Sequence, residues 1–276
     1  MTKSDNADTG APAPLTTALE RVGQLFLSSG TRAGILPPTA LYNEGWMLRL
    51  VLDWFARQAP VEHPLDVIPG HGWRSEVLLP SAFLPRRRGD GFAESFTHAD
   101  AIIGATRRGS GRGDVLPAHE TKQFVVVEAK LMSGLSAGTK RAATYNQAAR
   151  NVACLATALH QGAVSPSSIR AGFVVVAPAS QIDTGVFSNW CDKEHIIDVV
   201  RARVAAYEGD RDQWFQQTFV PAMSAIGVQL ISWESVLEHM RYHDADVAEA
   251  VTAFYERCLY FNRRGRSEAT PANGSP

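Results

Sequence analysis

The sequence has few cysteines, no long apolar run and no excess of charge of either sign. Its three cysteines are widely spaced and form no CxxC pair, which excludes a disulfide framework and favours a reducing compartment. No run of about 18 apolar residues is present, and this excludes an ordinary membrane-spanning helix. The first residues have no apolar core of the kind found in signal peptides. We therefore expect a cytoplasmic protein with no membrane partner.

The balance of charge excludes another group of functions. Lys and Arg total 27 and Asp and Glu total 28, so no global field attracts nucleic acid, and any attraction must come from local patches. The 276 residues are 45% hydrophobic, enough to bury a sizeable core. Composition predicts one domain over residues 15–262, between disordered tails at 1–14 and 263–276.

Hydrophobic periodicity predicts alternating helices and strands. The predicted order, α-β-β-β-α-β-α-β-α, indicates an α/β fold, a three-layer α/β/α sandwich with a central mixed sheet. The predicted helices cover residues 38–57, 143–162, 193–208 and 235–261, and the predicted strands cover 75–80, 99–106, the apolar run at 124–127, 171–178 and 228–233.

One of these strands ends in two charged residues. Phe124–Val127 is an unbroken apolar run, typical of a strand covered on both faces, and Glu128 and Lys130 follow it directly. Side chains two residues apart on a strand point the same way, so the acid and the amine are expected to lie side by side. Burying them is costly unless they are paired or bind a ligand.

Other polar residues occur at similarly apolar positions. Asp100 stands in the predicted strand 99–106, and Glu44 shares the apolar face of the first predicted helix. In the next helix, Gln147 and Asn151 form an i, i+4 polar pair beside an apolar stripe. A strand-end ion pair or a helix cap would explain any one of these residues alone. Their joint occurrence favours a common site.

The order Glu44, Asp100, Glu128-x-Lys130, Gln147 resembles the PD-(D/E)xK nuclease superfamily, which has the restriction-endonuclease-like fold. Among its branches, the order is most similar to the exonuclease domain of bacterial recombination helicase–nucleases. The resemblance spans roughly residues 40 to 160. It implies a metal-dependent nuclease that hydrolyses phosphodiester bonds.

The resemblance also implies a role for each residue. Asp100, Glu128 and the main-chain carbonyl of Ala129 would bind Mg²⁺, with Mn²⁺ as a substitute, and Glu44 would bind through water or hold a second ion. Lys130 would stabilise the developing charge, and Gln147 would orient Lys130, water or phosphate. The expected partner is nucleic acid, with DNA favoured over RNA, and a delivery protein or a homodimer stays open. The basic residues suited to contact the nucleic-acid backbone are Arg107, Arg108, Arg112, Lys140 and Arg141.

Several alternatives stay open at this point. The same fold could serve as a catalytically silent module for nucleic-acid binding or assembly. The stretch "GLSAG" at 134–138 matches G-x-S-x-G and makes Ser136 a candidate nucleophile of a serine hydrolase, although a loop after the catalytic strand fits better. His239 and His243 have zincin spacing without the glutamate base, and we expect two surface histidines on a helix.

Overall fold

The computed structural model describes nearly all of the predicted domain. The described residues are 13–28, 31, 34–59, 61–85, 87–94, 97–109, 115–139, 142–207 and 211–267, with only the backbone described at 13–18 and 264–267. The outer parts of the two predicted tails, 1–12 and 268–276, lie outside these residues.

The described strands form one five-stranded sheet and a short hairpin. The strands are β1 (Trp73–Leu79), β2 (Thr97–Gly104), β3 (Thr106–Arg108), β4 (Val115–Pro117), β5 (Gln123–Ala129), β6 (Arg170–Ala177) and β7 (Gly227–Ser232). The sheet has the order β1-β2-β5-β6-β7, and β3 pairs with β4 in the hairpin. Strand β2 runs antiparallel to both of its neighbours, whereas β5, β6 and β7 are mutually parallel. The predicted α/β class with a mixed central sheet is thus confirmed.

Helices connect the strands and cover both faces of the sheet. They are α1 (Ala13–Leu27), α2 (Glu44–Arg57), α3 (Gln147–Gly162), α4 (Ala179–Asp183), α5 (Lys193–Ala206), α6 (Asp212–Trp214), α7 (Val220–Ala225), α8 (Trp233–His243) and α9 (Ala245–Ser267). A π-helical turn, Phe215–Phe219, joins α6 to α7. No helix in the described part of the chain is long and apolar enough to cross a membrane.

Alternating side chains of the central strands build two separate cores. Phe124 and Val126 of β5 pack in the cluster that contains α3, whereas Val125 and Val127 pack in the cluster that contains α2 and α8. This alternation follows from the two-residue period of a strand and explains why β5 is apolar without interruption. It also means that Glu128 and Lys130 continue the side of β5 that faces α3.

Asparagine caps fix where the two helices nearest the candidate residues begin. The Asn43 side chain accepts a hydrogen bond from the Trp46 N–H at 3.0 Å, and the Asn146 side chain accepts one from the Ala149 N–H at 2.9 Å. Such caps satisfy N–H groups that have no partner inside the helix. Glu44 and Gln147 are therefore the first residues of α2 and α3.

Several element boundaries differ from the prediction. The helix predicted over 38–57 consists of a 3₁₀ turn, Pro38–Ala40, followed by α2, because Asn43 caps a new helix. The closing helix predicted over 235–261 is divided at Asp244, whose carboxylate accepts the Val247 N–H at 3.2 Å and starts α9. The hairpin β3–β4 and the helices α1, α4, α6 and α7 were not predicted. Helix α1 begins at Ala13 and α9 continues to Ser267, so both extend into the segments predicted as tails.

Candidate functional site

Asp100 and Glu128 lie opposite each other where β2 and β5 end their pairing. The last paired residues are Ala101 and Val127, and the two acids are the next residue on each strand. The Ala129 N–H donates a hydrogen bond to Asp100 Oδ2 at 2.8 Å. The end of β5 therefore holds the Asp100 carboxylate directly beside the main chain that carries Glu128.

The Glu128 carboxylate is surrounded by hydrogen-bond donors. Lys130 Nζ donates to Glu128 Oε1 at 2.6 Å, and Gln147 Nε2 donates to the same oxygen at 2.5 Å. Asn151 Nδ2 donates to Oε2 at 3.0 Å. The Glu128 side chain is 1% exposed, so these groups replace the water that a carboxylate would otherwise bind.

Burial and like charges disfavour ionisation of both acids. Burial raises the pKa of Glu128 to about 7, and the charge of Asp100 adds to the rise, while Lys130 and Asn151 oppose it. Burial also raises the pKa of Asp100; the Ala129 N–H and Lys130 lower it, and Glu76 and Glu44 raise it again. The described side chains therefore leave negative charge at this site incompletely balanced.

The loop between β5 and α3 orients the Gln147 amide. The Ser136 N–H donates to Gln147 Oε1 at 3.1 Å, and the Gln147 N–H donates to the Ser136 carbonyl at 2.9 Å. Because the amide oxygen is bound to the loop, the amide nitrogen faces Glu128. The Ser136 hydroxyl accepts from Arg150 Nη2 at 3.3 Å. Ser136 is thus held in a loop and is not at a strand–turn–helix junction, as a nucleophile elbow requires.

Glu44 takes a more distant place than the other predicted site residues. Its helix, α2, packs on the face of the sheet opposite α3. Glu44 is half-buried beside a cavity of about 260 Å³ that the segment Leu131–Ser133 also lines. It raises the pKa of Asp100 through its charge. The structure thus brings Glu128, Lys130 and Gln147 into contact, holds Asp100 on the Ala129 N–H beside them, and leaves Glu44 to act on Asp100 through its charge.

Two further residues belong to this site. Glu76 of β1 lies between Ser75 and Val77, which pair with the residues on either side of Asp100. It has a left-handed φ of 52° and forms a 3.3 Å ion pair with Arg49 of α2. Its charge raises the pKa of Asp100. Asn151, which the sequence indicates only as the i, i+4 partner of Gln147, is completely buried and donates to Glu128. An acid inside the predicted strand 75–80 was the sequence feature that could have indicated Glu76.

The predicted basic contacts are only partly described. Arg107 and Arg108 lie on β3, and Arg107 Nη2 donates to the Gln161 carbonyl at 3.5 Å. Gln161 is at the end of α3 farthest from Gln147, about 20 Å along the helix axis. Arg107 therefore lies away from the two carboxylates. Arg112, Lys140 and Arg141 lie outside the described residues.

The two histidines with zincin spacing differ from each other in burial. His243 is exposed, but His239 is half-buried, with its ring centroid 4.6 Å from that of His63. The prediction of two surface histidines is therefore wrong for His239, because this side of α8 packs toward α2. Burial lowers the pKa of His239, and the neighbouring His243 lowers it further.

Comparison of this chain with protein-family models, with curated proteins and with solved structures finds no match in any of the three. Among the described residues, no three or more His, Cys, Asp or Glu side chains converge as a ready set of metal ligands. The chemistry of Asp100, Glu128, Lys130 and the two amides is therefore the remaining indication of function.

Proposed function

We propose that this chain is a metal-dependent nuclease of the PD-(D/E)xK superfamily, with the restriction-endonuclease-like fold. The observation that carries the proposal is the buried Glu128 carboxylate, opposite Asp100 and 2.6 Å from the Lys130 ammonium. A strand end with this combination is expensive to maintain unless it binds a charged ligand. Buried acids with raised pKa values also cluster at functional sites.

The donor set is suited to a hard divalent cation. Mg²⁺ prefers oxygen ligands and keeps several waters, so it does not need a cage of three or more side chains. Asp100, Glu128 and the Ala129 carbonyl would hold the ion, and Glu44 would contribute through water. When bound, such an ion supplies neutralisation of phosphate charge and a water of lowered pKa. It would also offset the repulsion that raises the pKa of both acids.

The chain's own residues supply the remaining chemistry. The Lys130 ammonium provides a fixed positive charge next to the carboxylates, where it can stabilise charge that develops on a phosphate oxygen. Gln147 and Asn151 hold Glu128 in one orientation from the first turns of α3. DNA is the proposed substrate, and its delivery depends on local contacts because the net charge is only −1.

One observation favours a second candidate, the catalytically silent module. Both oxygens of Glu128 already accept hydrogen bonds from Lys130, Gln147 and Asn151, so an ion must compete with these donors. A site that has lost its metal would be stabilised by the same arrangement. Cleavage activity separates the two candidates.

The test is cleavage of labelled single- and double-stranded DNA and RNA with Mg²⁺, Mn²⁺ or EDTA. Wild-type protein should cleave DNA with metal and not in EDTA. Lys130→Ala should lose about 10²–10³ in rate, as expected when one group that stabilises the transition state is removed. Lys122→Ala makes the same change of charge at the exposed start of β5 and should leave the rate unchanged.

The remaining outcomes decide among the alternatives. Ser136→Ala removes only a hydroxyl that accepts from Arg150 and should reduce cleavage little. Ester hydrolysis that disappears with Ser136 and is insensitive to EDTA would establish the serine hydrolase instead. Binding of nucleic acid without cleavage in any metal would establish the silent module.

A further inference from the structure

Lys130 is held at both main-chain polar groups, although it lies one residue beyond the end of β5. Its N–H donates to the Val176 carbonyl of β6 at 2.8 Å. Its carbonyl accepts a hydrogen bond from the Trp233 indole N–H, also at 2.8 Å. The second bond comes from the first residue of α8, far along the chain, and it is a side-chain contact that the sheet itself does not require.

Trp233 is itself firmly placed. It is fully buried, and its ring centroid lies 6.4 Å from that of Tyr255 in α9. The next residue, Glu234, accepts the Tyr255 hydroxyl at 2.8 Å and the Ala179 N–H of α4 at 2.8 Å. The start of α8 is therefore tied to two other helices. A rigid support of this kind restricts the backbone of Lys130.

The restriction matters because the loop leaves the sheet at this point. The residues that follow Lys130, Leu131–Ser133, line the cavity beside Glu44 and have no strand partner. Without the indole bond, only the Val176 contact would fix the main chain of Lys130. The Lys130 side chain would then sample more conformations, and its 2.6 Å contact with Glu128 would be formed less of the time.

We propose that Trp233 is a positioning residue for Lys130, which holds the ammonium against Glu128 by fixing the Lys130 carbonyl. The structural part of this proposal concerns the metal-free protein, and only its effect on rate rests on the proposed nuclease function. The Trp233 indole N–H donates to the Lys130 carbonyl, so Trp233 acts on the ammonium through the main chain of Lys130.

The test compares Trp233→Phe with Trp54→Phe. Both tryptophans are buried, but the Trp54 indole N–H donates to Asp244 Oδ2, between α8 and α9, at 3.4 Å. The first measurement is the NMR order parameter of the Lys130 side chain in the metal-free protein. In Trp233→Phe this order parameter should fall below the wild-type value, because the Lys130 carbonyl loses the indole N–H that holds it. In Trp54→Phe it should not change.

The second measurement is cleavage. Trp233→Phe should lower kcat about 5- to 10-fold with KM nearly unchanged, as expected for the loss of one neutral hydrogen bond that acts on the reacting group. Trp54→Phe should retain the wild-type kcat. Melting curves confirm that each variant is folded, and Trp233→Met replaces Trp233→Phe if the latter is not.

An unchanged Lys130 order parameter in a folded Trp233 variant would overturn the proposal, as would equal kcat values in the two Phe variants. A wild-type protein that cleaves nothing would refute the proposed function instead. The order parameter of Lys130 would still decide whether Trp233 positions this residue, because its measurement needs neither metal nor substrate.

Discussion

The buried Glu128 carboxylate should make the metal-free protein less stable as the pH rises. Its pKa is raised in the folded state, so between about 4.5 and 7 the folded protein binds this proton more tightly than the unfolded chain does. The free energy of unfolding therefore falls as the pH increases through that window. The rise of the pKa from 4.5 to about 7 corresponds to about 3 kcal/mol.

Glu128→Gln should remove this contribution. Glutamine is neutral at every pH, so the variant does not bear the cost of a buried charge above pH 7. Its NH₂ group meets a donor from Lys130, Gln147 or Asn151, which costs about 1–3 kcal/mol at all pH values. We therefore expect the stability of Glu128→Gln relative to wild type to improve by about 3 kcal/mol between pH 4.5 and pH 8.

The assay is urea denaturation in EDTA at several pH values between 4.5 and 8. The measured quantity is how the difference in free energy of unfolding between wild type and Glu128→Gln changes with pH. The cost of the misplaced amide is the same at every pH, so it does not affect this change. Glu249→Gln on the exposed surface of α9 is the control and should follow the wild-type pH dependence. Parallel curves for wild type and Glu128→Gln would refute the argument that Glu128 is buried with a raised pKa.

Two other predictions concern metal binding by Asp100 and the buried ion pair of Arg203. Mn²⁺ at about 100 times its Kd should stabilise the wild type by about 2.7 kcal/mol, measured as a rise in Tm, and Asp100→Asn should abolish that rise. An equal rise in both proteins would remove Asp100 from the ligand set. Arg203→Ala breaks a buried 3.0 Å ion pair with Glu94 and should cost about 3–5 kcal/mol in urea denaturation. Arg201→Ala breaks an exposed ion pair on the same helix and should cost less than about 1 kcal/mol. Equal losses of stability in the two variants would contradict the conclusion that burial makes the Arg203–Glu94 pair the more important one.

The sequence predicted the central strands well because burial on both faces leaves a strong pattern. Strands β5 and β6 are apolar at nearly every position, and the structure places them side by side in the middle of the sheet. The short elements left no comparable pattern. The hairpin β3–β4 has three residues in each strand, too few for an alternation to be recognised. The division of the closing helix depends on one capping residue, Asp244.

The direct contacts of the site were also accessible from sequence, but its outer residues were not. Lys130 follows Glu128 by two residues where β5 ends, and this spacing alone predicts their contact. Glu76 reaches Asp100 only through the antiparallel register of β1 and β2, which no local pattern reveals. Trp233 reaches Lys130 from the far end of the chain. Contacts between distant segments depend on the assembled sheet, so they required the structure.

The charges around Asp100 give a reason why a cation would bind here. Four carboxylates, Glu44, Glu76, Asp100 and Glu128, lie on or around the site, and two cations, Arg49 and Lys130, pair with two of them. Fully ionised, the set carries two negative charges in excess, the amount that one divalent ion would balance. Without such an ion, burial and neighbouring carboxylates raise the pKa values of both Asp100 and Glu128, so a proton would bind to the carboxylates in place of the metal. Metal and proton should therefore compete for the same carboxylates, so metal affinity should increase with pH up to about 7, where Glu128 loses its proton.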